Sequence, residues 1–499
     1  VIALHPGYVD AHLGRGNALN ALGRHEEALA GYTRAIELGS ENFLAHYSAC
    51  GLLEKLGRYE DALASYDKLL ALKPDCAEAY HDRGVILERL GRYDAALHSF
   101  DRTIALRPDY AETHRCRAIA LEKSGRYAEA LESCNRAIAL KPDYAPAYYS
   151  RGVSLERLGR QHDALTSFDR AVTLDPHYAP AQFAKGAVLL RLGDYGAGWE
   201  LYEWRLRGGV PLKHLDPRKL KQPQWRGEAL GGQTILLYCE QGLGDSMQML
   251  RYLPRIKAEA ARVILDLPKT LQPLLGELAS GITVVVERGV VLPRFDLQCS
   301  LMSLPLACGT RLDTIVAQVP YLSAPDERLP AWRARLPRRA SLRVGLVWSG
   351  GIANPNDHNR SIALERLAPL LALEGVSFIS LQKEYRDADL PALARLPIER
   401  IDADIADFGD TAAAIEQCDL VIAVDTAVVH LAGALGKPVW VLLPYVADWR
   451  WLLDRDDSPW YPTARLFRQH GIGDWEGVIA ELVTRLRNLA SGNDLTTHA

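Results

Sequence analysis

Six glycines, Gly23, Gly57, Gly91, Gly125, Gly159 and Gly193, stand 34 residues apart. Around them run LGRHEEAL, LGRYEDAL, LGRYDAAL, SGRYAEAL, LGRQHDAL and the degenerate LGDYGAGW. Ala28, Ala62, Ala96, Ala130 and Ala164 keep the same interval, as do Pro74, Pro108, Pro142 and Pro176. Self-similarity at a fixed period of this length means one supersecondary unit stacked on itself. Each unit reads as two short amphipathic helices. Glycine makes the turn between them, small residues allow close helix contact, and proline ends the second helix.

This spacing resembles the tetratricopeptide repeat, with about six copies in phase over 1–207. The opening VIALHPGY matches TIALRPDY at 103–110, so the chain is expected to start inside an earlier repeat. The resemblance implies an all-α, right-handed solenoid whose concave face takes a protein or peptide. The repeat phase places Glu54, Glu88, Glu122 and Glu156 as a ladder along the first helices, beside Lys55, Arg89, Lys123 and Arg157. Two readings are open for the ladder: a polar track for an extended polypeptide, or a solvated face with local ion pairs worth little each. An asparagine ladder or a basic carboxylate clamp, used by some repeats of this kind, is not matched.

The character of the chain changes near residue 198. All ten tryptophans lie at or beyond Trp199, and GWELYEWRLRGG reads as the capping helix of the solenoid. A proline- and lysine-containing connector covers 208–230. Strand-like and helical runs then alternate (TILLYCE, RVILDLP and ITVVVER, then LRVGLVW, SFISLQ, DLVIAV and PVWVLL), the pattern of a parallel α/β sheet. A basic link, AWRARLPRRAS, separates two such series. The expectation is two Rossmann-like lobes, 231–335 and 341–499, the second with a final helix, facing a cleft.

Composition narrows the function. The formal charge of −4 provides no basic stripe for nucleic acid. The longest apolar runs are broken by Asp425, His430, Lys437 and Pro438, so none reaches the ~18 residues of a membrane span. Eight cysteines are scattered without a Cys-x-x-Cys pair, as expected for free thiols of a cytoplasmic protein. DADIAD at 402–407 reads as solvated loop acids rather than a metal site, and no Walker or serine–histidine–acid signature appears.

Three stretches carry chemistry. In VDTAVVHLAGALGKPVW (424–440), Asp425 ends an apolar strand, where open α/β sheets bind ligands. Thr426 is placed to cap the next helix, with His430 one turn on along the same face. A helix amino terminus with a hydroxyl and an imidazole suits a diphosphate; the alternative is a cap plus a satisfied core histidine. In CEQGLGDSMQMLRYLP (239–254), Gly242 and Gly244 allow tight turning and close approach, and Asp245 opens a helix, where an N-cap role is the simpler reading. In WSGGIANPNDHNRSIALERLAPLL (348–371), Ser349 and Gly350 end a strand, and Arg360 precedes a helix with a fork suited to phosphate.

Together these motifs make 231–499 resemble the heptosyltransferase-type (family 9) glycosyltransferases of the GT-B fold. GLGDSMQMLRYLP corresponds to their Gly-Asp motif and VDTAVVHLAGALGKPVW to their Asp-Thr-Gly-x-x-His segment, with Ala427 in place of the glycine. RSIALERL stands where the family has Lys-x-Trp. With its repeats, the chain resembles bacterial repeat-plus-glycosyltransferase proteins, some of which glycosylate flagellin, and in outline the O-GlcNAc transferases. The resemblance implies inverting, metal-independent transfer from a nucleotide-sugar co-substrate, with no further cofactor, to a protein acceptor. Asp245 would be the general base; Arg360, the helix end at Thr426 and His430 would stabilise charge on the departing phosphate. Gln382 would contact base or ribose, and Trp449 and Arg450 would line the cleft or pack between lobes. A glycan acceptor, or a scaffold with decayed transferase lobes, are the competing readings.

Overall fold

The computed structural model describes residues 1–208, 220–282, 284–286, 291–338, 340–351 and 356–492. Most of the expected connector (209–219), part of the glycine- and asparagine-rich loop (352–355) and part of the ITVVVER run and of the basic link lie outside them. The chain divides into two compact units, Val1–Ala181 and Gln182–Ala499.

The first unit is all-helical: Val9–Ala21 with His25–Leu38, Phe43–Lys55 with Tyr59–Leu72, Ala77–Arg89 with Tyr93–Leu106, Ala111–Lys123 with Tyr127–Leu140, and Ala145–Arg157 with Gln161–Leu174. The periodic glycine is required by the turn. Gly57 has φ 72°, and the amides of Gly57 and Arg58 donate back to the carbonyls of Glu54 and Leu53, both at 2.9 Å. That closure of orphan carbonyls needs a left-handed residue, which glycine adopts without strain. The small residues on first helices serve packing: a Cβ on Gly84 would lie 2.5 Å from Phe100, and one on Gly152 would lie 2.4 Å from Phe168. Each second helix ends two residues before its proline, at Leu72, Leu106, Leu140 and Leu174.

A sixth pair, Ala179–Arg191 and Tyr195–Tyr202, keeps the period, but from Gln182 onward it belongs to the second unit. Leu190, Tyr195, Trp199 and Tyr202 share one apolar cluster with Ile235, Val429 and Trp449. This explains the degenerate repeat. Gly198 and Trp199 stand where the other copies have alanine and leucine, and Trp199 packs edge-on against Trp449 with centroids 5.0 Å apart.

The second unit contains two parallel sheets. The first joins β1 (Thr234–Tyr238), β2 (Arg262–Asp266), β3 (Val284–Val286) and β4 (Leu297–Ser300) in the order β3-β2-β1-β4. The second joins β5 (Leu342–Val347), β6 (Val376–Ser380), β7 (Ile398–Arg400), β8 (Leu420–Val424), β9 (Val439–Leu443) and β10 (Ala464–Arg468) in the order β10-β9-β8-β5-β6-β7. Both faces of the second sheet are covered, one by the cluster containing Val429 and Val441, the other by that of Val344, Trp348 and the helix Trp475–Ala490. This is why DLVIAV is a continuous apolar run. Strand order reverses between β5 and β8, and between β1 and β4; such switch points open crevices at the carboxyl ends of strands.

All eight cysteines are unpaired thiols, seven of them buried. The acids of DADIAD are not free in solvent. Asp404 pairs with Arg335 at 2.8 Å, and Asp407 pairs with Arg328 and caps the helix Phe408–Glu416. No helix of the described residues is long and apolar enough to cross a membrane.

Candidate functional site

The loop leaving β1 turns into a short helix, Leu243–Met249, with Gly242 at its cap. Oδ2 of Asp245 accepts from the Gly242 amide at 2.8 Å, the capping role that the local sequence favours. Its other oxygen accepts from Arg450. Arg450 is buried, lies over the Trp449 ring at 4.2 Å, and also donates to Gln248 Oε1 at 2.6 Å and to Asp448 at 2.7 Å. Desolvation raises the Asp245 carboxyl above its ordinary range, Arg450 opposes that shift, and the side chain keeps 23% of its exposure. One carboxylate therefore serves both the helix cap and the guanidinium, and remains reachable.

Across from it stands the loop leaving β8. Gly244 meets the helix Ala427–Ala434 directly. A Cβ on it would lie 2.6 Å from His430 Cδ2 and 3.2 Å from Ala427 Cα. His430 is placed to act as a hydrogen-bond donor rather than as a cation. Burial, reinforced by Arg450 and Arg251, holds its pKa well below the usual histidine range. Its Nδ1 shares a 2.9 Å hydrogen bond with the Tyr461 hydroxyl, and the ring stacks on Trp451. When Tyr461 donates, the proton sits on Nε2 and the ring is a neutral donor.

Thr426 occupies the cap position of that helix, with φ −139° and ψ 173°, but its hydroxyl does not cap. Its Oγ1 is buried without a hydrogen-bond partner. This corrects the expected cap: the backbone is right, and the hydroxyl points elsewhere. Leaving such a group unmade costs about 1–3 kcal/mol, which suits a position that acquires its partner from a ligand. The Asp425 carboxyl is pushed up to about 6, first by burial and then by Asp448, against the pull of Arg360. Arg360 donates to the Asp425 carbonyl at 2.6 Å. It lies flat against Gly350, where a Cβ would come within 2.3 Å of its Nη2.

Two expected contacts are spent within the protein. Gln382 is buried, its Oε1 accepting from the amides of Trp348 and Ser349, both at 3.3 Å, and its Nε2 donating to the Ser349 hydroxyl. These bonds pin the end of β5. Trp449, 2% exposed, lies in an aromatic cluster with Trp199, Trp460 and Tyr202 rather than on a cleft wall. Of the two readings of DWRW, packing holds for Trp449, while Arg450 reaches the Asp245 carboxylate.

Asp357, Arg386, Asp448 and Tyr461 are not singled out by the sequence, although Asp357 lies within the stretch 348–371. Asp448 precedes Trp449 in DWRW and was the one within reach of inspection.

In the first unit the glutamate ladder is half-buried. Glu54 meets Arg89 of the next repeat at 3.4 Å, and burial raises Glu54 and Glu88, opposed by Arg89 and Lys123 respectively. The ladder is thus neither free of partners nor fully solvated.

The tetratricopeptide repeat family matches residues 1–43, 52–120, 116–179 and 149–203. The chain is 27% identical over 323 residues to Protein FlbA of Caulobacter vibrioides, 59% of this chain and 53% of that protein. It therefore spans about half the length of the curated relative it matches. Among solved structures, YrrB, described as a tetratricopeptide-repeat protein with an unusual peptide-binding site, is 25% identical, with a TM-score of 0.34, covering 37% of this chain and 95% of its own. PilW, described as a widely conserved type IV pilus biogenesis factor, is 22% identical with a TM-score of 0.36, covering 39% and 90%. The amino-terminal part is thus a tetratricopeptide solenoid, a protein-binding module, followed by an α/β region.

Proposed function

We propose that the second unit is an inverting glycosyltransferase of the heptosyltransferase type, moving a sugar from a nucleotide-sugar donor to a protein that the repeats hold. The observation that carries this reading is the meeting of the two loops. Gly244 packs on His430, and Asp245 is tied to Arg450, so the end of β1 and the end of β8 line one place.

In this reading the acceptor hydroxyl loses its proton to Asp245 as its oxygen forms the new bond to the anomeric carbon. The bond from that carbon to the donor phosphate breaks, and the nucleoside diphosphate departs with the electron pair. A carboxyl raised by burial is better matched to proton transfer near neutral pH, a contribution of roughly 10²–10⁴ in rate. Arg450 holds the carboxylate in place. Arg360, the amides at the start of the helix Ala427–Ala434 and the unpartnered Thr426 hydroxyl meet the charge that develops on phosphate; donors of that kind supply about 10²–10³ each. His430 contributes a neutral hydrogen bond and not charge. The reaction as drawn needs no metal, in line with the resemblance.

The test is incubation of the protein with UDP-, ADP-, GDP- and CMP-sugars and a panel of candidate proteins, read by intact mass. Sugar mass on a protein, lost with Asp245→Asn, supports the reading. Absence of any added mass, with no donor raising the melting temperature, overturns it, because a ligand that binds the folded state must stabilise it.

A further inference from the structure

Beside Arg360 lies a second arginine that no motif points to. Arg386 follows β6, the strand next to β5, and reaches back to the same edge of the sheet. One of its terminal nitrogens donates to the Asp357 carboxylate and, at 2.8 Å, to the Ser361 hydroxyl. That hydroxyl accepts from the Gly350 amide at 3.1 Å and donates to Asp357 at 2.9 Å. Arg360 approaches the other oxygen of Asp357 at 3.5 Å, too long for a strong bond, and spends its good bond on the Asp425 carbonyl. Two guanidinium groups therefore converge on one carboxylate next to Gly350, at the switch point between β5 and β8.

This differs from a closed structural clamp in two respects. Neither guanidinium has a carboxylate to itself: Arg360 and Arg386 both meet Asp357, and Arg360 also faces the buried Asp425 carboxyl. The Arg386 fork is also incomplete, since its Nε is buried and has no hydrogen-bond partner. An arginine placed only to brace a loop would have its donors satisfied. A guanidinium with one arm tied down and another unmade keeps donor capacity for an anion such as a phosphate.

We infer that Arg386 is a second phosphate ligand of the donor site, held beside Arg360 by Asp357, so that two guanidinium groups together take the diphosphate of a nucleotide. This rests on the donor-site reading above and adds a ligand to it.

The experiment is titration calorimetry of the full chain with inorganic pyrophosphate and with UDP, ADP, GDP and CDP, each compared with its nucleoside. Wild type, Arg360→Ala, Arg386→Ala and Arg386→Lys are measured, and a melting curve confirms that each is folded. Removing one charged hydrogen bond to phosphate weakens binding roughly ten- to hundredfold. Arg386→Ala is expected to lose that much affinity for pyrophosphate and for the best diphosphate. Its nucleoside affinity stays unchanged, and Arg386→Lys falls between. Loss of diphosphate and nucleoside binding in equal measure would show a bracing role and overturn the inference. So would unchanged binding in Arg386→Ala while Arg360→Ala fails; in that case the donor-site reading survives. If wild type binds none of the probes, both fall.

Discussion

Gly244 and His430 come from short helices that follow strands of different sheets, and they touch so closely that the hydrogen on Gly244 cannot be replaced by a methyl group without displacing the imidazole ring. That contact sets the helix that carries Asp245 directly against the helix that carries His430. The glycine of the β1 loop thus sets the spacing between the two sheets at the site.

Gly244→Ala follows directly. Overpacking of a tight contact costs about 1–3 kcal/mol, and the expected outcome is a lower urea midpoint together with weakened donor binding. Gly471→Ala, whose Cβ has nothing within 4 Å, leaves both unchanged. Equal behaviour of the two variants would refute the spacing role.

Arg450 and Asp245 separate stability from chemistry. Arg450→Met leaves the Asp245 and Asp448 carboxylates without their shared cation, and breaking a buried pair in this way costs about 3–5 kcal/mol. Asp245→Asn keeps the amide cap and most of the packing. Its melting temperature is expected to stay within a few degrees of wild type, while transfer falls roughly 10²–10⁴-fold. Chemical denaturation and an initial-rate assay read the two effects independently.

The Asp425 carboxyl provides a pH signature. Its folded pKa, about 6, lies above the ordinary aspartate value of 3.8. Between those values the folded chain holds a proton that the unfolded chain has lost, so stability contributed by this group falls as pH rises through the window. Above the folded value the penalty is complete, on the order of 3 kcal/mol. Asp425→Asn removes it. The variant is expected to gain stability relative to wild type as pH goes from 4 to 7, measured as the difference in urea midpoint. A constant difference across that range would contradict the assignment.

In the repeats, the glutamate ladder and the packing residues should part company. Glu88→Gln and Glu122→Gln remove half-exposed charges and are expected to shift stability by less than about 1 kcal/mol. Trp199→Ala empties a buried aromatic site in the second unit, and a loss of about 3–5 kcal/mol is expected. Melting curves and limited proteolysis near residues 447–451 check both. If the ladder serves a polypeptide, glutamine at Glu54, Glu88, Glu122 and Glu156 together abolishes peptide binding without lowering the melting temperature.

Much of the architecture was legible because it is written in local pattern. A glycine every 34 residues has to be a recurrent left-handed turn, and a continuous run such as DLVIAV has to be a strand covered on both faces. The degenerate sixth repeat was legible too, although its meaning was not. Trp199 read as the cap of a solenoid, whereas it packs against Trp449 in the second unit. At the candidate site, the motifs point to Asp245, Arg360, Thr426 and His430. The burial that lowers the pKa of His430, the unmade hydroxyl of Thr426 and the internal use of Gln382 are not legible there.

By itself, then, the order of residues determined the elements, their faces and the strand ends that carry the polar loops, since backbone geometry and burial periodicity act over a few neighbours. Only the tertiary structure decided which charges meet. Asp245 and Arg450 are 205 positions apart, and Asp357 and Arg386 are 29 apart. No local rule pairs them, because apolar burial, which drives the sheets together, has no direction. The ion pairs form wherever that packing brings their loops face to face.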